Sequence, residues 1–335
     1  MKRFAKPLGI SVLVIMILAL NVCARADNSQ PSTNCTNYKL ANPQNTLDNF
    51  AYNATYHEST NAPYGPNIEN HSQGIAQWNN YTLVSENVTP AIDFYDLSTK
   101  KYVKSFQFGD TNLNGALLKH YGGCQQIGDY LVVGIESTSS QPNESYVCFY
   151  DISNNTEVRN LRITRPSNKA GAVGITNYYS DGQERYCMAV YDNGPLDIYL
   201  ADKPLYDTQC SFGSPVYHFN MDDIAGYREY SELCMLTGAD NNLYLMGFRS
   251  VQRGLTYVDY IDLYSLNLTG STATCDLIES KHVKSTVNIG GVLGIHFRYS
   301  GGLQIKSPTS ATVWTCDRNP DVIFRFNSFD SNLTQ

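Results

Sequence analysis

The chain has 335 residues, of which 42% are hydrophobic and 16% charged, with a formal net charge of -7. That length suffices for a large core and allows two domains, although all-β folds often stay single at this size. Basic residues are not clustered, which argues against nucleic acid as a partner, and no segment beyond the leader reaches the roughly 18 apolar residues a membrane span needs.

Lys2, Arg3 and Lys6 open the chain, residues 8–20 are mostly apolar, and Ala24-Arg25-Ala26 is an A-x-A cleavage signal. This is the pattern of a secretory signal peptide. Val22 precedes Cys23 where a lipid-attachment site would need a small residue, so cleavage after Ala26 is expected. Residues 1–26 then form the leader and 27–335 a single secreted or periplasmic domain. Its removal takes Cys23 away and leaves an even number of cysteines, and in an exported chain that predicts disulfides. Cys35 and Cys316 are a candidate pair that would staple the termini. The 25 tyrosines, with frequent Thr, Asn and Gly, suit strands joined by tight turns. N-x-Ser/Thr sequons recur from Asn34 to Asn332, as chance produces in an Asn- and Thr-rich chain; the short basic leader looks bacterial.

From His71 a hairpin is written twice. His71-Ser72-Gln73-Gly74 matches His120-Tyr121-Gly122-Gly123, Tyr81-Thr82-Leu83-Val84 matches Tyr130-Leu131-Val132-Val133, and Glu86 matches Glu136. A third strand follows in each copy, Phe94-Tyr95-Asp96-Leu97 and Phe149-Tyr150-Asp151-Ile152. After a polar turn, Phe106 and Phe108 answer Leu161 and Ile163 as a fourth. Each unit reads as four antiparallel strands in up-and-down order over about fifty residues. Weaker echoes cover 170–201, 231–268 and 299–328. Such a repeat predicts an all-β fold, a five-bladed β-propeller of four-stranded antiparallel blades. Residues 40–66 would supply the strand that closes the ring against the last blade; six blades follow if that segment is a blade of its own. Gly74, Gly122, Gly123, Gly171, Gly301 and Gly302 fall on first strands, where crowding at the axis leaves little room for side chains.

At its Phe-Tyr-Asp-Leu and Phe-Tyr-Asp-Ile stretches the chain resembles β-propellers of the broad WD40-like kind, with Tyr where those repeats usually carry Trp. The resemblance implies ligand binding at one mouth of a central channel. In a blade, the start of the first strand and the end of the second share an edge. His71, His120, Glu86 and Glu136 are therefore expected on one face, with Lys169, Glu232 and Tyr299 at matching starts and Asp192 and Asp317 at matching ends. Together they would form a polar pocket. In the alternative reading, the imidazoles hold blade geometry and the carboxylates cap loops.

Three functions compete on that face. The preferred one is non-catalytic recognition of a glycan, peptide or protein. The second is a glycoside hydrolase or lyase with two carboxylates about 5–9.5 Å apart. The third is a zinc-dependent hydrolase or cyclase in which His71, His120 and a carboxylate share one ion. No cofactor is expected, with zinc or calcium left open. No serine nucleophile elbow, P-loop or dinucleotide fingerprint is present.

Overall fold

The strands follow the repeat. The computed structural model describes residues 30–60, 71–87, 90–109, 111–113, 116–137, 144–166, 169–191, 195–220, 224, 230–269, 272–286, 294–318 and 323–331. The leader and Asp192 lie outside the described residues. A short helix, α1 (Pro43–Asn49), is started by Asn42, whose Oδ1 accepts from Asn45 N at 2.9 Å, and by Pro43 in its first turn. The strand β1 (Thr55–Thr60) comes next. Then come β2 (Ser72–Trp78), β3 (Tyr81–Glu86), β4 (Ala91–Asp96) and β5 (Lys101–Phe106), followed by the small hairpin β6 (Asn112–Leu113) and β7 (Ala116–Leu117). The second repeat is β8 (His120–Ile127), β9 (Tyr130–Glu136), β10 (Ser145–Asp151), β11 (Thr156–Glu157) and β12 (Ile163–Arg165). The third is β13 (Ala172–Ser180), β14 (Gln183–Tyr191), β15 (Leu196–Ala201) and β16 (Tyr217–Phe219). The fourth is β17 (Glu232–Thr237), β18 (Leu243–Arg253), β19 (Thr256–Thr269) and β20 (Thr272–Val283). The chain finishes with β21 (Gly302–Ser307), β22 (Ser310–Cys316) and β23 (Ile323–Asp330).

Each repeat pairs antiparallel in sequence order. An eight-stranded sheet joins two such runs, β2-β3-β4-β5 and β21-β22-β23-β1, edge to edge through one parallel bridge, Thr60 to Lys101. The last run borrows β1 from the start of the chain, in register from Thr55 with Ser328 to Thr60 with Ile323. The first strands β2, β8, β13, β17 and β21 touch in that order, and β21 returns to β2. Sheets of up-and-down strands arranged radially about their first strands make a β-propeller.

Backbone closeness at the axis explains the glycines. A Cβ on Gly74 would meet Cys124 N at 2.7 Å, one on Gly122 would meet Gly171 O at 2.4 Å, and one on Gly302 would meet Ile75 O at 1.8 Å. Aromatic rings fill the space between sheets. Tyr95 stacks on Phe324 at 4.5 Å between the first and last runs, and Phe106 stacks on Tyr150 at 3.9 Å between the first and second. Tyr95, Tyr121, Tyr130, Tyr150, Tyr186 and Tyr264 are fully buried. The aspartate of the Phe-Tyr-Asp motif shapes the turn after it. Asp96 Oδ1 accepts from Ser98 N and Thr99 N, and Asp151 Oδ1 accepts from Asn154 N, with Lys100 and Asn155 at positive φ.

Two expectations are corrected. The fourth strand of the second repeat is broken: a 3-10 turn, Arg159–Leu161, separates β11 from β12, burying Leu161 and turning Arg162 back onto Glu157. All eight cysteines of the described residues are buried free thiols, so the expected disulfides are absent there. Cys35 Sγ sits 2.8 Å from Tyr186 OH, and Cys316 Sγ donates to Ser300 Oγ at 3.0 Å in a different core cluster, so the two cannot staple the termini. Burial drives the Cys124, Cys234 and Cys316 thiols well above their ordinary pKa and those of Cys210 and Cys275 up to about 12. The even count reflected the use of cysteine as a small core residue.

Candidate functional site

The propeller has two ends: one where first strands start, and one where the hairpins between first and second strands turn. The expected residues lie at the strand-start end. The His71 and His120 rings, on neighbouring sheets, are 5.7 Å apart. His71 N donates to Asn87 Oδ1 at 3.0 Å, which turns the Asn87 amide nitrogen toward His71 Nε2, also at 3.0 Å, and fixes that ring nitrogen as an acceptor. His120 Nδ1 is 3.0 Å from Glu136 Oε1, but off the hydrogen-bonding direction. Glu136 Oε2 accepts from Ala170 N at 3.2 Å on the next sheet. Lys169 is half-buried just before β13. Asp317 is buried and paired with Arg325, with 3.4 Å between Oδ2 and Nη1. Tyr299 lies against the guanidinium groups of Arg298 and Arg318.

Glu86 is 1% exposed; its Oε1 accepts from Ser72 Oγ at 2.9 Å and its Oε2 has no donor among the described residues. Burial above all, and then the Asp93 charge, hold its carboxyl well above the usual range. The group is easier to protonate folded than unfolded, so its contribution to stability falls as pH rises above the ordinary carboxylate range. Glu86→Gln should therefore shrink the loss of Tm between about pH 5 and pH 8. Melting curves at both pH values check this, and an unchanged slope would contradict it.

Glu232 lies deepest. It is fully buried, and its carboxylate accepts from Cys124 N at 2.9 Å and Leu233 N at 3.0 Å, and from Val173 N as well. It thus ties β8, β13 and β17 together. Gln125 acts beside it: its Oε1 accepts from Ile175 N and Met235 N, both at 2.8 Å, and its Nε2 donates to Met235 O. These two side chains occupy the space between first strands where a channel was expected. The strand-start end therefore gathers the expected groups, but Glu86, Glu136, Glu232 and Asp317 are buried there. Three of the four are tied to backbone N–H groups. Among the described residues, no three His, Cys, Asp or Glu side chains converge as a metal centre.

The hairpin end carries a cleft of about 610 Å3 that sequence reasoning missed. Its floor is the ends of β2, β8 and β21, and one wall is the N-terminal segment laid across the hairpins. Ser32 N donates to Asp151 Oδ2, Asp129 N to Asn34 O, and Asn37 Nδ2 to Gln126 O, and Leu40 N reaches Thr237 O. Asp129 pins the rim, accepting from Ser32 Oγ at 2.7 Å, Trp78 Nε1 at 2.9 Å and Asn34 Nδ2 at 3.0 Å. Thr36, Tyr38, Asn79 and Gln304 present side chains that bond nothing else among the described residues. Gln77 gives its Nε2 to Thr82 Oγ1 and leaves a buried Oε1 without a donor there. The sequence signal was the Asn and Gln residues near the hairpin turns, Gln77, Asn79 and Asn80 in the first repeat and Gln125 and Gln126 in the second.

No family model matches the chain, and no curated protein does. Among solved structures, an exo-β-1,3-galactanase from Phanerochaete chrysosporium is similar at TM-score 0.44 and 11% identity, over 82% of this chain and 65% of that one. A Dyadobacter fermentans protein of unknown function is similar at 0.42 and 8%, over 83% and 99%. A β-propeller domain from Myceliophteria thermophila is similar at 0.39 and 9%, over 83% and 100%. At such scores the fold rests on strand pairing and on the ring of first strands, and by these the chain is a β-propeller.

Proposed function

We propose that this chain is a five-bladed propeller, exported by its leader, that recognises a neutral glycan without catalysis in the hairpin-end cleft. The observation that carries this is the lining of that cleft. Uncommitted amide and hydroxyl groups from Asn79, Gln304, Thr36 and Tyr38 stand around an open space of about 610 Å3. Lys306, the one cation among the described lining residues, is paired with Asp330 at 2.8 Å. Side-chain amides donate and accept, which suits ligand hydroxyl groups, and a tyrosine ring offers a flat apolar face to a sugar. The buried carboxylates at the other end support recognition over hydrolysis, because backbone N–H groups already occupy Glu136, Glu232 and Asp317 and Glu86 is held beneath the surface by Ser72.

A glycan array probed with the purified protein, followed by calorimetry on the strongest hit, tests this. Tyr38 is 58% exposed, so Tyr38→Ala should weaken binding about tenfold. The same substitution should leave stability within about 0.5 kcal/mol. An array without hits, or equal affinity in the variant, would refute the reading. New reducing ends released from the bound glycan would refute its non-catalytic half.

A further inference from the structure

The strand-start end holds a second cavity, of about 410 Å3, between the long β18–β19 hairpin and residues 297–298. The register places it there: Glu232 at the start of β17 faces Phe248, so β18 runs on past that strand from Arg249 to Arg253. Of the charged groups around it, Arg249 is matched by Asp262, with Nε donating to Oδ2 at 2.6 Å. Asp259 beneath is saturated by Ser250 Oγ, Ser285 Oγ and Phe297 N. Arg298 differs. It is exposed into the cavity, and among the described residues its side chain donates to Tyr257 OH alone. Its guanidinium lies 5.4 Å from the Tyr257 ring and 5.1 Å from the Tyr299 ring.

Arg318 lies against the same Tyr299 ring at 4.7 Å. Among the described residues neither Arg298 nor Arg318 pairs with a carboxylate, and the buried Nε of Arg318 has no acceptor. Two like charges thus share one aromatic ring, and a desolvated N–H lacks what it needs. Two guanidinium charges side by side, neither matched by a carboxylate among the described residues, favour an anion next to them. We propose that this end binds an oxyanion, a carboxylate or phosphate group of a small ligand, held by the Arg298 fork beside the cavity with Arg318 as the second charge. A guanidinium meets either group through two parallel N–H donors, whereas lysine would offer only a point charge.

The site is separate from the hairpin-end cleft and shares no residue with it, so neither proposal stands or falls with the other. Calorimetric titration of the full chain with succinate and with inorganic phosphate, at ionic strength fixed with chloride, tests it. Saturable binding of either probe is expected, and the probe that binds names the group. Arg298→Gln and Arg298→Lys should each lose at least about tenfold in affinity, while Arg253→Gln on the hairpin tip should bind as the parent does. Arg318→Gln should weaken binding too. If that variant melts early, the exposed Arg298 decides alone. Absence of binding by both probes, or parental affinity in Arg298→Gln, overturns the proposal.

Discussion

Gly302→Ala should either fail to give soluble protein or melt far below the parent. The added Cβ would stand 1.8 Å from Ile75 O, a backbone atom inside β2 that cannot move aside as a side chain would. This contact is where the last run of strands meets the first, so relief by sliding would open the ring. Overpacking a well-packed interior costs about 1–3 kcal/mol, and a clash with fixed backbone belongs at or above the top of that range. For a chain of this size that means a Tm lower by about 4 °C or more. Gly182→Ala is the control. Its Cβ would meet nothing within 4 Å, and only its φ of +74° resists, at about 1 kcal/mol. If the two variants melt together, the close approach at Gly302 is not what the ring depends on.

Glu232→Ala should be the most damaging polar substitution. It strips an acceptor from Cys124 N, Leu233 N and Val173 N at once, on three sheets, and leaves a hole between them. Orphaned buried donors and the cavity together predict a loss of about 3–5 kcal/mol. Glu232→Gln keeps one acceptor and should lose less. Burial holds the Glu232 carboxyl well above the usual range, so the parent loses stability as pH rises, while the alanine variant loses none from this position. The gap between them should therefore be wider at about pH 5 than at pH 8, as denaturant titrations at both would show. A gap that widens toward pH 8 would mean that the carboxylate is ionised and welcome where it sits.

Much of this architecture was legible because repetition is a pattern in the letters. The paired His-to-Glu hairpins, the turn-making Asp96 and Asp151, and the glycines on first strands each had a steric or hydrogen-bonding cause readable in one dimension. The meeting of His71 and His120 followed from the same periodicity. What stayed hidden depended on what else each group touches. Glu86 and Glu232 read as parts of a polar pocket at the strand-start rim, and only the packing reveals them as buried and, for Glu232, spanned by backbone donors. Counting cysteines suggested bridges, where neighbouring strands instead supply apolar walls. Residues 32–40 carry no period at all, so nothing marked them as the wall of a cleft. Arg298 and Arg318 are twenty positions apart, and their shared tyrosine is visible only in three dimensions.

One sheet is stitched from distant parts of the polypeptide: β1 pairs along its whole length with β23 and meets β5 at a single bridge. During synthesis, β1 leaves the ribosome long before β23 exists and must wait as an open edge until β23 has been made. Closing so distant a pair is entropically slow, so the nascent chain is most open to mispairing in that interval. A circular permutant that starts at His71 and carries residues 30–60 after β23 would bring β1 close behind β23, with α1 between them, and shorten the delay.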